Sequence, residues 1–211
     1  MVQESDTDSD DDSSSSSEET SLGTFTIDFY WVSREEDFGG TQNQAIHELD
    51  DTTNAPAQIG TARQDFVEES SDMDNGLLED GTMISFQSDC SSFTSTVPFG
   101  VCFEFINPVS FPQGRARDAS VLTVYKGIQV DSSVITIGTK LYIELLDGVE
   151  MPGTEGGFTH DGCVTADNTG ESGQVVRFFV FRKSNFTSLD TTLGNRANYT
   201  STIVKNSANC D

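Results

Sequence analysis

The sequence predicts a mostly β protein folded as a barrel, and three observations lead to this fold class. Short runs of alternating, β-branched and aromatic residues recur along the chain. Turn signals rich in Gly, Pro, Asn and Asp separate these runs. No stretch shows the apolar spacing of an amphipathic helix of ordinary length. Many short strands joined by frequent turns are typical of all-β architectures, and we expect a barrel.

The clearest strands lie near the two ends of the chain. Residues 24–32 alternate in polarity and are rich in aromatic and β-branched types, which predicts the first strand. Residues 175–181, Val-Val-Arg-Phe-Phe-Val-Phe, are the most strand-like run of all. Their Phe residues are interpreted as core rather than as a surface on which sugars stack. The polar residues 160–170 precede this run and predict turns.

The remaining elements carry weaker signals. Asp80-Gly81 between apolar flanks predicts a hairpin over residues 77–86. Residues 34–60 are expected to form a long loop or a weak hairpin, with a helix around residues 44–49 as an alternative. Further elements are predicted as strands at residues 101–106, 121–125, 128–131, 134–137 and 139–146, a sharp turn at Gly138, a short helix near 188–193 and a closing strand tied down by Cys210.

Length and charge limit the organisation and the partners. The 211 residues fit one domain over residues 22–211 and an acidic Ser- and Asp-rich tail over residues 1–21. The tail has almost no apolar residues to bury, so we expect it to be disordered. The formal net charge of -24 argues against binding to nucleic acid or to an anionic membrane surface. No apolar run approaches the roughly 18 residues that a membrane span needs.

No metal or cofactor site is expected. Asp6, Asp8, Asp10 and Asp12 alternate along the tail, but the Gly and the distal Glu of a calcium loop are missing there. The chain has two His and no Cys-x-x-Cys pair, which argues against zinc. We interpret the tail as a spacer like the tethers of exported lipoproteins, although no lipidated Cys precedes it in this sequence.

The cysteine count indicates an oxidising compartment. Four cysteines, an even number, in an acidic Ser-rich chain suit two disulfides in an exported protein. We prefer the pairing Cys90–Cys102 and Cys163–Cys210. The sequence alone leaves all three connectivities open.

Three segments together resemble a known family. They are Val130-Asp131, the run from Ile135 to Ile143 that contains Gly138-Thr139, and Ala166-Asp167-Asn168-Thr169-Gly170. This combination resembles the three-aspartate (3D) domain, which occurs in membrane-bound lytic transglycosylase A and in secreted stationary-phase proteins. The resemblance covers about residues 118–182. It implies a six-stranded double-psi β-barrel, here with extra hairpins and the disordered acidic tail.

The resemblance also implies three aspartate positions, and this chain keeps one of them. The first position is retained as Asp131. The second lies immediately before Thr169-Gly170 and is occupied by Asn168. The third lies just before the paired aromatics Phe178-Phe179 and is occupied by Arg177. In the family, the third aspartate is the catalytic acid and the second one supports it.

These two substitutions bear directly on the chemistry. Lytic transglycosylases of this type cleave the β-1,4 bond between N-acetylmuramic acid and N-acetylglucosamine without water. One carboxylic acid protonates the glycosidic oxygen and then acts as the base on the C6 hydroxyl of the sugar. A guanidinium at Arg177 cannot act as an acid near neutral pH, and it lowers the pKa of neighbouring carboxylates. We therefore expect a catalytically degenerate protein in which Arg177 pairs with Asp131 or Asp167.

Other roles for the same residues stay open. A shifted register would put Asp167 in the second position, or Asp161 or Asp167 has taken over as the acid in a reshaped cleft. Taken singly, Asp131, Asp161 and Asn168 are also typical caps of turns. His160 beside Asp161 forms a base and its orienting acid only if a turn brings the two side chains together. The candidate sets are Asp131, Asp167 and Asp161 for catalysis, and Asp131, Asn168, Thr169 and Arg177 for ligand binding.

Three functions follow from these observations. The preferred one is an exported cell-envelope 3D-domain barrel that binds peptidoglycan glycan strands or another envelope partner without catalysis. The alternatives are an active, divergent peptidoglycan lytic transglycosylase and a protein-binding module, such as an inhibitor or an extracellular assembly subunit. In each case we expect a periplasmic, outer-membrane-tethered or extracellular protein.

Overall fold

The computed structural model describes residues 18–196 and 198–210, and residues 1–17 of the predicted tail lie outside the described residues. The helices are α1 (Gln64–Met73) and α2 (Lys183–Leu193). The strands are β1 (Thr20–Trp31), β2 (Ser33–Arg34), β3 (Gln42–Asp50), β4 (Ala55–Arg63), β5 (Asn75–Leu77), β6 (Met83–Asp89), β7 (Val101–Ile106), β8 (Gly127–Val130), β9 (Lys140–Ile143), β10 (Cys163–Thr169), β11 (Val175–Phe181) and β12 (Tyr199–Lys205).

Six strands close into a barrel in the order β1-β11-β8-β10-β9-β12. The pairs β1–β11 and β8–β10 are parallel, and the other pairs of the barrel are antiparallel. Phe178, Phe179 and Val180 of β11 are fully buried in the core, together with Ile128 and Leu141. The predicted mostly β, six-stranded barrel is therefore confirmed, and so is the interpretation of the Phe-rich run as core.

Residues 33–106 form what we call the second lobe. It contains the four-stranded sheet β2-β5-β6-β7, the hairpin β3–β4 and α1. Ile46, Phe66, Ile84 and Phe103 form a separate buried cluster inside it. Met73 belongs instead to the main core of the barrel, so the second lobe is packed directly onto the barrel.

The expectation that no amphipathic helix occurs is wrong, because α1 is one. Its buried residues, Phe66, Val67, Ser70 and Met73, recur with helical spacing. The stripe has only three apolar members within ten residues, and this is too short to stand out in the sequence. Neither α1 nor α2, the helices of the described residues, is long and apolar enough to cross a membrane.

In the first half, two predicted hairpins are present and one alternative is wrong. Of the alternatives for residues 34–60, the hairpin is confirmed, since β3 and β4 pair over nine residues each. The helix around residues 44–49 is wrong, because this stretch is the centre of β3. The hairpin predicted around Asp80-Gly81 is confirmed by the antiparallel pairing of β5 with β6.

In the second half, tertiary contacts override several local patterns. Residues 121–125 and 134–137 form turns rather than strands. Tyr125 has a left-handed backbone, and its N–H donates to the Phe179 carbonyl at 3.0 Å, so the segment folds over the barrel wall.

Residues 163–169, predicted as turns, form β10. The closing strand β12 is confirmed, whereas β1 and α2 begin four and five residues before the predicted starts at 24 and 188.

Both preferred disulfides are present. Cys90–Cys102 spans 12 residues inside the second lobe, and Cys163–Cys210 spans 47 residues and ties the C-terminal end to β10. The two bridges therefore restrain different parts of the fold.

We expect the two bridges to contribute unequally to stability. Removing a bridge restores conformational entropy to the unfolded chain, and this entropy grows with the logarithm of the loop length. The expected loss in the free energy of unfolding is about 4 kcal/mol for the longer loop and about 3 kcal/mol for the shorter one. Paired Cys→Ser variants of each bridge, compared by urea unfolding, measure this difference. A larger loss for Cys90–Cys102 than for Cys163–Cys210 would contradict it.

Candidate functional site

Four polar side chains form a row across the outer surface of the barrel. Asp28 of β1 pairs with Arg177 of β11, and Arg177 pairs with Gln129 of β8. Gln129 pairs in turn with Asn168 of β10. Partners in register share one face of a sheet, so the four side chains project to the same side. We call them the polar row, and it contains Asn168 and Arg177, the two positions at which the family resemblance predicts an acid.

The end of α1 covers the polar row. The carbonyl of Asp72 accepts a hydrogen bond from Arg177 Nη1 at 2.8 Å, and its carboxylate accepts one from Nη2 at 3.0 Å. The Asp74 carboxylate accepts a hydrogen bond from Gln129 Nε2 at 2.7 Å. We call this contact between the polar row and residues 72–74 the seam. At this contact, the space between the two lobes is therefore occupied by the protein's own side chains.

Asp74 is the buried anion of the seam. It is 1% exposed, and it has a left-handed backbone because it caps the C-terminus of α1. Its oxygens accept hydrogen bonds from Arg117 Nε at 3.0 Å and Nη2 at 2.6 Å, a two-point contact that offsets the cost of burying the charge. The Arg117 guanidinium lies 3.9 Å from the centre of the Phe86 ring. The Arg117 N–H donates to Asn168 Oδ1 at 2.9 Å, which joins the same segment to the polar row.

Arg177 is held among carboxylates of the seam. Its Nε lies 2.9 Å from Glu171 Oε1 and 3.6 Å from Asp28 Oδ2. Burial lowers the pKa of Arg177, but the charges of Asp72, Glu171 and Asp28 outweigh it and raise the pKa above its ordinary value. Burial raises the pKa of Glu171, while the Arg177 charge opposes this change. Arg177 is therefore a permanent cation with a structural role.

The expectation that Arg177 pairs with Asp131 or Asp167 is wrong. Among the residues that the structure describes, its carboxylate partners are Asp28, Asp72 and Glu171. Two of these belong to the barrel and one to α1, so the cation is satisfied without either predicted partner.

Two of the three candidate acids cap turns. The Asp131 carboxylate accepts hydrogen bonds from the side chain and the N–H of Ser133 and from the Gly173 N–H, and these contacts lower its pKa. Partial burial raises the pKa of Asp161, but hydrogen bonds from the Cys163 N–H and from Lys126 outweigh it and lower the pKa. Both groups are ionised at neutral pH and unsuited to donate a proton.

His160 and Thr169 also have structural roles. Burial lowers the pKa of His160, whose Nε2 lies 2.7 Å from the Tyr125 carbonyl and whose Nδ1 accepts the Gly162 N–H at 2.8 Å. The ring therefore uses both nitrogens on the backbone, and Asp161 Oδ1 lies 3.7 Å from Nδ1, beyond hydrogen-bond distance. The Thr169 carbonyl accepts a hydrogen bond from Gln129 Nε2 at 3.1 Å, which fixes the end of β10.

Asp167 occupies a β-bulge and points away from the regular register. Ala166 pairs with Ile128 and Asn168 pairs with the next residue, Gln129, so Asp167 is the extra residue of β10. Its carboxyl group lies over Gly127, where an added Cβ would come within 2.7 Å of the Asp167 Cγ. Only glycine leaves room for this side chain at residue 127.

Asp167 is the candidate acid with a pKa near neutrality. Burial raises its pKa to about 7. Its Oδ1, the Tyr30 hydroxyl and Asn168 Nδ2 are buried and have no hydrogen-bond partner among the described residues. Burial, followed by the nearby Asp167 charge, raises the pKa of Tyr30 well above its ordinary value. A carboxylic acid of this kind can hold a proton at pH 6–7, which Asp131 and Asp161 cannot.

Sequence reasoning did not identify Asp72, Asp74, Arg117, Gln129 or Tyr30 as site residues. One signal was present, because Asp74-Asn75-Gly76 directly after Met73 is typical of a helix C-terminus. The other positions depend on which strands become neighbours in the barrel. Among the described residues, no group of three or more His, Cys, Asp and Glu is arranged to hold a metal ion.

We expect Asp167 to make stability depend on pH. Its pKa rises from the ordinary 3.8 to about 7 in the folded state. The free energy of unfolding is therefore highest below pH 4, where the group is protonated in both states, and falls as the pH rises to 7. Asp167→Asn removes this loss and should be more stable than the wild type above pH 7, by up to about 4 kcal/mol. Chemical unfolding at pH 4, 5.5 and 7.5 measures the difference between the two proteins. A difference that is independent of pH would contradict the assignment.

We also expect residues 127 and 167 to be coupled. Gly127→Ala should cost about 1–3 kcal/mol because its Cβ meets the Asp167 carboxyl group. In an Asp167→Ala background most of that cost should disappear. Gly153→Ala is the matched control, since a Cβ there meets nothing within 4 Å. Equal costs of Gly127→Ala in both backgrounds would show that the two side chains do not compete for space.

Comparison with known proteins supports the fold. No protein-family model and no curated protein matches the chain. The structure of E. coli MltA with bound chitohexaose aligns with 87% of this chain and 71% of its own, at 11% identity and a TM-score of 0.52. The membrane-bound lytic murein transglycosylase of Agrobacterium tumefaciens aligns with 87% of this chain and 73% of its own, at 10% identity and a TM-score of 0.48. The alignment with E. coli MltA, together with the closed six-stranded barrel, supports the MltA-related barrel fold that the 3D-domain motifs imply.

Proposed function

We propose that the protein is an exported cell-envelope barrel of the lytic-transglycosylase type that binds peptidoglycan glycan strands without cleaving them. The observation that carries this proposal is Arg177, which occupies the position of the family acid and is bound by Asp72 and Glu171. A guanidinium cannot protonate a glycosidic oxygen near neutral pH. The neighbouring family position, Asn168, is an amide whose Oδ1 accepts two backbone N–H groups, so it cannot take over the acid role.

The seam supports the same conclusion. Arg177 bonds to Asp72, and Gln129 bonds to Asp74, so both middle members of the polar row are used to hold the second lobe. A cleaving enzyme needs an acid that faces an open groove, and here the corresponding side chains face α1. The polar groups of this row are thus engaged in contacts between the two lobes.

Glycan binding and export rest on separate observations. The related E. coli MltA structure contains chitohexaose, a β-1,4-linked glucosamine-type glycan. The two disulfides of this chain suit an oxidising compartment outside the cytoplasm. The net charge of -24 disfavours strongly anionic partners, whereas binding to neutral sugar rings carries no such repulsion.

A second candidate function is favoured by Asp167. Its pKa of about 7 would allow it to donate a proton to a leaving oxygen and to act afterwards as the base. In that case the protein is an active, divergent lytic transglycosylase with a relocated acid. Asp167 is covered by the turn at residues 118–123, so this chemistry would require the turn to move aside.

We expect purified sacculi to retain the protein at moderate salt and to release no 1,6-anhydro-muropeptides. Retention is measured by sedimentation and the products by mass spectrometry, at pH 5.5, 6.5 and 7.5. Absence of retention would remove the glycan part of the proposal. Release of anhydro products that Asp167→Asn abolishes and Asp161→Asn preserves would establish the second candidate instead.

A further inference from the structure

A polar cavity of about 260 Å³ borders the polar row of the barrel. Residues of β1, α2, the loop before β12 and β12 itself line it. Asp28 belongs to both the cavity and the polar row, because it lines the cavity and its Oδ2 lies 3.6 Å from Arg177 Nε. The cavity is therefore adjacent to the seam but is separate from the filled contact between the two lobes.

The lining combines apolar and polar groups in the way that sugar sites do. Phe186 contributes an aromatic surface, and Asp28, Asp190, Arg196 and Asn198 contribute hydrogen-bonding groups. An aromatic ring covers the apolar C–H face of a sugar, and carboxylates and amides bond to its hydroxyl groups. Neither a purely apolar ligand nor a bare ion would use both kinds of surface.

Hydrogen bonds hold the polar edge of the cavity in place. The Tyr199 hydroxyl donates to Asp190 Oδ1 at 2.5 Å and accepts the Arg196 N–H at 3.2 Å. The Asn195 N–H donates to the Asp190 carbonyl at 2.8 Å. Tyr199 and Asn195 each bond to Asp190 of α2, and Arg196 bonds to Tyr199, so a ligand does not have to position these groups on binding.

Charge and size restrict the ligand. Two carboxylates, Asp28 and Asp190, face one guanidinium, Arg196, which disfavours an anionic ligand. The volume lies just below the range of about 300–1,000 Å³ that is usual for sites of drug-sized ligands. The cavity therefore suits one neutral sugar ring rather than several rings of a glycan.

We propose that this cavity binds one neutral sugar ring, such as a terminal N-acetylhexosamine of a glycan strand. Asp28 and Asp190 accept hydrogen bonds from sugar hydroxyls, and the Asn198 side chain bonds to the acetamido group. Because the seam is filled by its own side chains, the glycan is held beside the seam rather than between the lobes. This inference rests on the proposed function and names the subsite that performs it.

Calorimetric titration with the β-1,4-linked trisaccharide of N-acetylglucosamine tests the proposal. Loss of one hydrogen bond to a charged group raises Kd by about tenfold or more, and we expect this for Asp28→Asn. Asp28→Asn keeps an acceptor for the Phe29 N–H, and Arg177 keeps its contacts with Asp72 and Glu171, so we expect this variant to fold. Asn198→Ala, in an exposed loop, is a second variant with the same expected direction.

Asp161→Asn is the matched control, because Asp161 is an exposed carboxylate that does not line this cavity. It should bind the trisaccharide like the wild type. A trisaccharide of galacturonic acid, with the same number of rings and a negative charge on each, should bind at least tenfold more weakly than the neutral one.

The outcomes separate this inference from the proposed function. If sacculi retain the protein but Asp28→Asn and Asn198→Ala bind the trisaccharide as tightly as Asp161→Asn, the cavity is the wrong subsite and the proposed function stands. If the trisaccharide binds and both cavity variants weaken it while sacculi do not retain the protein, the subsite stands and the peptidoglycan assignment falls. Absence of any heat at millimolar trisaccharide overturns the inference.

Discussion

The buried carboxylate of Asp74 is the constraint on which the arrangement of the two lobes depends. A charge that is 1% exposed is costly unless it is paired, and here Arg117 and Gln129 supply three hydrogen bonds from two other segments of the chain. If Arg117 moved away, the charge would remain in the interior without the cation that pairs with it. The end of α1, the segment around residue 117 and β8 are therefore held in one geometry, and the rest of the seam follows from it.

This geometry explains why a cation fits at residue 177, where the family resemblance predicts an acid. Once Asp74 fixes the end of α1, Asp72 and its carbonyl lie beside β11, and a guanidinium fits between them and Glu171. A carboxylate at the same place would face Asp72, Glu171 and Asp28 and would be repelled by all three. The substitution thus agrees with the surrounding charges. Within the described seam, the Arg177 guanidinium and the carboxylates of Asp72, Glu171 and Asp28 form one electrostatic arrangement.

Asp167 shows a different relation between fold and chemistry. The bulge in β10 gives the strand one residue more than β8, and the extra side chain turns onto the space that Gly127 leaves free. Burial there raises the pKa to about 7, far from the values of the exposed turn caps Asp131 and Asp161. Three aspartates of similar appearance in the sequence therefore have different protonation states, because their surroundings in the barrel differ.

Local sequence patterns determined the strands with clear alternation, the Asp80-Gly81 hairpin and, through the 3D-domain motifs, the barrel itself, whereas they left the pairing of the four cysteines open. They determined these features because alternation, turn chemistry and motif spacing act over a few residues. Helix α1, the turn at residues 121–125 and the partners of Arg177 were decided by tertiary structure. Each of them depends on groups distant in the sequence: Arg177 meets Asp72 across 105 positions, and Asp74 meets Gln129 across 55. Whether a carboxylate holds a proton or caps a turn was settled in the same way, since burial and nearby charge exist only once the chain has folded.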